Sequence, residues 1–69
     1  MTFQEIENAP ADTCIEFTFD SALWVWLCAA GYYPVSQEGS RHVMRRSLRA
    51  REGVEQLRPD CSVAVRRLN

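Results

Sequence analysis

Nine apolar residues stand in a row from Ala22 to Ala30, ALWVWLCAA, in a chain of only 69 residues. This run limits what the chain can fold into more than any other feature. It is about half the length of a membrane span, so it has to be buried within a small domain or against a partner. A chain this short hides only roughly 60% of its unfolded surface on folding. It therefore needs nearly all its large apolar side chains inside, or a second copy to cover the remainder.

The run reads as a helix. Asp20 or Ser21 caps its start, and Gly31 supplies the turn after Ala30. Turning the helix residue by residue puts Leu23, Leu27 and Ala30 on one face. Trp26 flanks that face on one side and Trp24 on the other. Ser21, Val25, Cys28 and Ala29 fall on the back. Leu23, Leu27 and one tryptophan can therefore cover a sheet. The other tryptophan is left at the edge, as a lid on a small core or as an anchor for a partner.

A strand precedes the helix. In TCIEFTF (13–19), Ile15, Phe17 and Phe19 alternate with Cys14, Glu16 and Thr18, the pattern of a half-buried strand. Residues 1–12 form an N-terminal arm or a short helix, with Thr2 and Glu5 at capping-box spacing and Pro10 as a stop. YYPVS (32–36) reads as a short strand. Pro34 places it at a sheet edge. QEGS is a turn, and RHVMRRSL returns as the second arm of a hairpin. A helix at about 49–58 ends at Pro59, and CSVAVRRL (61–68) closes as a strand. The order predicts one α+β domain over 1–69, a ferredoxin-like βαββαβ antiparallel sheet with helices on one face. The alternative is a three-stranded sheet with one long helix over 41–57, capped by Ser40. Gly53 in its interior argues against it.

Charge is segregated. Residues 1–40 hold six acids and no base, whereas residues 41–69 hold eight arginines and three acids, so −6 faces +5 and the net is −1. Such asymmetry marks a nucleic-acid or partner surface, or two halves that neutralise each other on folding. Every basic residue is arginine. This suits carboxylate or phosphate recognition, but GC-rich coding is the simpler cause. Cys14, Cys28 and Cys61 are too few and too scattered for a structural zinc site, and their odd number argues against a disulfide scaffold. They read as small buried hydrophobes. MTFQEIENAPAD has no basic start or long apolar core, so no secretory leader is expected. A reduced, cytoplasmic setting follows.

No catalytic constellation is expected. His42 is the only histidine and reads as a turn-edge residue. The three glycines are ungrouped, so no phosphate loop is present, and neither cofactor, metal, membrane nor small-molecule substrate is expected. The acidic first half suggests a partner surface at Glu5, Glu7, Asp12 and Glu38, with Asp20 beside them. Trp24 and Tyr33 are the candidate aromatic anchors. Arg45, Arg46, Arg49, Arg66 and Arg67 form the alternative, a nucleic-acid-binding patch. In the ferredoxin-like arrangement Glu16 lies on the open face, flanked by Arg45 and Arg66. The central strand offers no aromatic there, which lowers the case for RNA. RRSLRAR (45–51) is soon followed by Glu52 and Glu55 and reads as a solvated face.

Short, lysine-free, arginine-bearing, without catalytic residues and compactly α+β, the chain resembles in type the small phage-encoded anti-CRISPR proteins. The resemblance rests on no motif, so no residue role is carried over. It implies a non-catalytic inhibitor that occupies a surface of a CRISPR–Cas effector subunit in a bacterial host cell, through an acidic surface that blocks nucleic acid. The alternatives are an arginine-patch nucleic-acid-binding or regulatory module, and a structural domain that dimerises. Either a monomer or a homodimer fits.

Overall fold

The computed structural model describes residues 1–60 and 62–69. A short helix α1 (Phe3–Glu7) leads into strand β1 (Cys14–Thr18) and helix α2 (Ser21–Ala29). Strands β2 (Tyr32–Glu38) and β3 (Arg41–Arg46) follow as a hairpin. A single 3₁₀ turn (Val54–Leu57) precedes strand β4 (Val65–Arg67). The four strands form one antiparallel sheet in the order β2-β3-β1-β4.

Local chemistry accounts for the elements. Thr2 and Glu5 close the expected capping box, with Glu5 N donating to Thr2 Oγ1 at 3.1 Å and Thr2 N to Glu5 Oε1 at 3.0 Å. The α1 helix ends at Glu7, before Pro10. Asp20 caps α2 by accepting from Leu23 N at 3.0 Å. Pro34 lies in the edge strand β2, where a missing donor costs no ladder bond. The ladder slips between Pro34 and Ser36, so Val35 is the extra residue of a bulge.

The core lies between the sheet and α2. Ile15 and Phe17 of β1, Met44 of β3, Tyr32 of β2 and Val65 of β4 meet Leu23, Trp26 and Leu27. Ile6 of α1 and Val54 of the 3₁₀ turn complete it. Trp26 is fully buried and Trp24 half-buried, so the edge tryptophan is Trp24. Val25 and Cys28 face out as expected, but Ala29 is buried.

Four expectations are corrected. The helix over 49–58 is reduced to Val54–Leu57, because Gly53 takes a left-handed φ of 79° that no α-helix accommodates. The alternative long helix over 41–57 is excluded, since Arg41–Arg46 pairs with both β1 and β2. The last strand spans Val65–Arg67 rather than 61–68. Cys28 is exposed, as its place on the back of α2 requires, and Cys14 is half-buried, so the reading of these cysteines as buried hydrophobes fails for both. The reading of Cys61 lies outside the described residues.

Candidate functional site: the open sheet face

Helix α2 covers one face of the sheet. The other face carries the side chains that alternate with the core positions. Register places Tyr33, Arg45 and Cys14 in one row across β2, β3 and β1. The next row runs Ser36, Val43, Glu16 and Arg66. Glu38, Arg41 and Thr18 make the third. Tyr33 keeps 39% of its surface exposed, and Arg41, Arg45 and Arg66 are all exposed. Cys14 and Tyr33 beside the Arg45 guanidinium raise its pKa above the ordinary arginine value.

Glu16 takes its expected place on this face, but one neighbour differs. Val43, not Arg45, stands opposite it on β3, and Arg66 stands opposite on β4 as anticipated. Its ion pair is made with Arg41, at 3.8 Å. Arg41 sits two residues along β3 from Val43, and its long side chain spans the diagonal.

The acidic set does not come together. Glu7 is buried and faces inward. Its Oε1 accepts from Arg58 Nη2 at 2.7 Å, and its Oε2 accepts from Arg58 Nε at 2.8 Å and Trp26 Nε1 at 3.2 Å. Glu5 is exposed, but its carboxylate already accepts from Thr2 N, which holds its pKa below the usual range. Asp12 precedes β1, whereas Glu38 lies at the Thr18 end of the ladder. At least roughly 13 Å of strand separates those ends, more than a Debye length of about 8–10 Å. They act as separate charges.

The arginine set divides as well. Arg46 is only 6% exposed. Its Nε donates to the Leu48 carbonyl at 2.9 Å and its Nη1 to the carbonyls of Ile6 and Ala9. It ties α1 to β3 and is no surface contact. Arg45, Arg49, Arg66 and Arg67 are exposed. The aromatic anchors are also separated. Tyr33 is on the open face. Trp24 is on the helix side, among Phe17, Phe19 and His42 at centroid distances of 6.4, 5.8 and 5.5 Å. His42, expected at a turn edge, is buried in that cluster and stacked on Phe17 at 5.8 Å.

Sequence reasoning passed over Glu7 and Arg46 as structural residues. Their partners lie far along the chain, and their residue types carry a surface expectation. The Glu7–Arg58 pair joins an acid of the first half to a base of the second, as does Glu16–Arg41. The charge segregation is therefore partly neutralised within the fold.

The Glu7 pair has a pH signature. Hydrogen bonds from Arg58 hold the Glu7 carboxyl below its ordinary value of 4.5, outweighing burial, which pushes it up. A depressed folded pKa stabilises the fold above the unfolded value, and that contribution is lost as pH falls through the folded one. Urea midpoints of the wild type should drop below about pH 4.5, and Glu7→Gln should flatten part of that drop. Equal acid sensitivity in both proteins would rule the linkage out.

Among the described residues no group of His, Cys, Asp and Glu is placed to hold a metal ion. No described helix is long and apolar enough to cross a membrane. No protein-family model, curated protein or solved structure gives a significant match to this chain.

Proposed function

We propose that the protein is a non-catalytic binding domain that docks a partner protein on the open face of its sheet. The observation that carries this reading is the row Tyr33–Arg45–Cys14 beside Arg66 and Arg41, on a face that α2 leaves uncovered. Tyrosine and arginine are the residue types that most often anchor interfaces. The face holds three arginines against Glu16 and Glu38, so the fitting partner surface is acidic. This moves the contact from the dispersed acids to the opposite sign of charge.

Following the resemblance in type, the partner is a CRISPR–Cas effector subunit in the bacterial cytoplasm, and the protein acts as its inhibitor. Support for this step is the small α+β fold and the arginine-only basic set. The sheet is read as ferredoxin-like, supported by a first strand lying between the third and the last. The second half contributes only a 3₁₀ turn where that arrangement has a helix.

A second reading, single-stranded nucleic acid on the same face, is favoured by the exposed ring of Tyr33 next to Arg45. One experiment separates the two. Tagged protein is used to capture partners from bacterial lysate with and without nuclease, beside Tyr33→Ala and Arg45→Glu. Protein retained after nuclease, and weakened about tenfold or more by either substitution, is the expected result. Capture abolished by nuclease transfers the function to nucleic acid. Capture that both variants leave intact removes the open face from the account.

A further inference from the structure

A cleft of about 600 Å³ opens on a different part of the molecule, between residues 7–11, from the last residue of α1 onward, and residues 46–50, from the last residue of β3 onward. Arg46 lines it, with Arg49 and with Ala9, Pro10 and Ala11. Arg46 is more than nine-tenths buried, yet among the described residues no carboxylate lies within ion-pair distance of it. A guanidinium carries five N–H donors. The Nε hydrogen goes to Leu48, and Nη1 serves the carbonyls of Ile6 and Ala9. No described residue accepts from Nη2.

Among the described residues the Arg46 charge is met only by carbonyl dipoles and by the ring of Tyr32, 5.9 Å away. Buried charges are ordinarily paired with an opposite charge. Glu7 also lines the cleft, but Arg58 and Trp26 occupy both of its oxygens, and Arg58 neutralises it. Arg49 is exposed and adds a second positive charge. The cleft thus presents a fixed, incompletely used guanidinium with an exposed one beside it. What remains is the two N–H donors of one nitrogen, Nη2, which is not sealed from solvent and can meet one oxygen of a phosphate or carboxylate, while Arg49 can meet another.

We propose that this cleft binds a small oxoanion, a phosphate or carboxylate group, on Arg46 with Arg49 closing over it. The site is separate from the open sheet face and does not depend on it.

The test is a titration of the full chain with inorganic phosphate, and separately with acetate, at constant ionic strength with chloride as the reference salt. Amide resonances are followed by NMR. Saturable shifts confined to residues 8–11 and 46–50 are expected. Arg49→Gln, which removes an exposed side chain and leaves the fold intact, should weaken them about threefold, the scale of an exposed charge contact. Arg46→Lys is the more direct change but removes three carbonyl bonds, so Arg49→Gln keeps the proposal falsifiable if that variant does not fold. Tighter binding of phosphate than of acetate assigns the site to phosphoryl groups, and the reverse assigns it to carboxylates. Shifts that are linear in concentration, equal for chloride, or unchanged in Arg49→Gln would overturn the proposal.

Discussion

Gly31→Ala should remove about a third or more of the stability of the fold, the largest loss of any single glycine replacement here. Gly31 ends α2 at φ +94°, in the left-handed region, and an alanine there costs about 1–2 kcal/mol in backbone strain alone. Steric overlap costs more. A Cβ on Gly31 would lie 2.2 Å from the Leu48 carbonyl oxygen and 2.8 Å from its carbon. That backbone cannot step aside, because Ser47 N and Leu48 N both donate to the Gly31 carbonyl, at 2.9 and 3.3 Å. Arg51 N also donates to the Ala29 carbonyl at 2.9 Å. The end of α2 and the segment leaving β3 are laced together at this point. A total loss of about 3–5 kcal/mol is expected, against a stability of about 3–10 kcal/mol for a domain of this size.

Gly39 is the internal control. It has φ +62° in the β2–β3 turn, and a Cβ there meets nothing within 4 Å. Gly39→Ala should therefore suffer only the backbone strain, about 1–2 kcal/mol. Urea denaturation of the three proteins decides the matter. Equal losses at the two glycines would mean that the contact with Leu48 contributes nothing.

The contrast between these glycines shows what the sequence could and could not reveal. Gly31 was legible as a helix stop, since it follows nine apolar residues and precedes a strand. The role of Leu48 was not, because it comes from a tertiary approach. The same division holds elsewhere. The alternation around Ile15 and Phe17 identified β1, and the Thr2–Glu5 spacing identified the cap, because both signals are local. The helix expected over 49–58 is shorter than its boundaries suggest. Pro59 marks its end correctly, but Gly53 turns left-handed and leaves one turn. The candidate site was legible in part. Glu16 and Arg66 face each other as the strand order required. Glu7 and Arg46 were unreadable as interior residues, since Arg58 is 51 positions from Glu7 and Ala9 is 37 from Arg46. Charged residues become interior through such distant partners, which no local window contains.

The two tryptophans of the apolar run should separate just as clearly. Trp26 has no exposed surface and packs edge-on against Phe3, with ring centroids 5.2 Å apart and planes at 84°. Its Nε1 also donates to Glu7 at 3.2 Å, so it joins α1 to α2 through both its ring and its polar end. Trp26→Ala should cost about 3–5 kcal/mol, the range for a fully buried aromatic. Phe3 would lose its aromatic partner, and α1, with only five residues, would detach. An isolated helix of that length does not persist in water. Trp24 is half-buried at the rim with Phe19, which is 48% exposed. Trp24→Ala should cost less, about 2 kcal/mol, because part of its ring is already in water. Denaturation of both variants, with hydrogen exchange at Ile6 and Glu7, is the measurement. If Trp24→Ala is as damaging as Trp26→Ala, the rim cluster belongs to the core. If Trp24→Ala costs nothing, its ring is free to be a partner contact, on the side of the molecule opposite Tyr33.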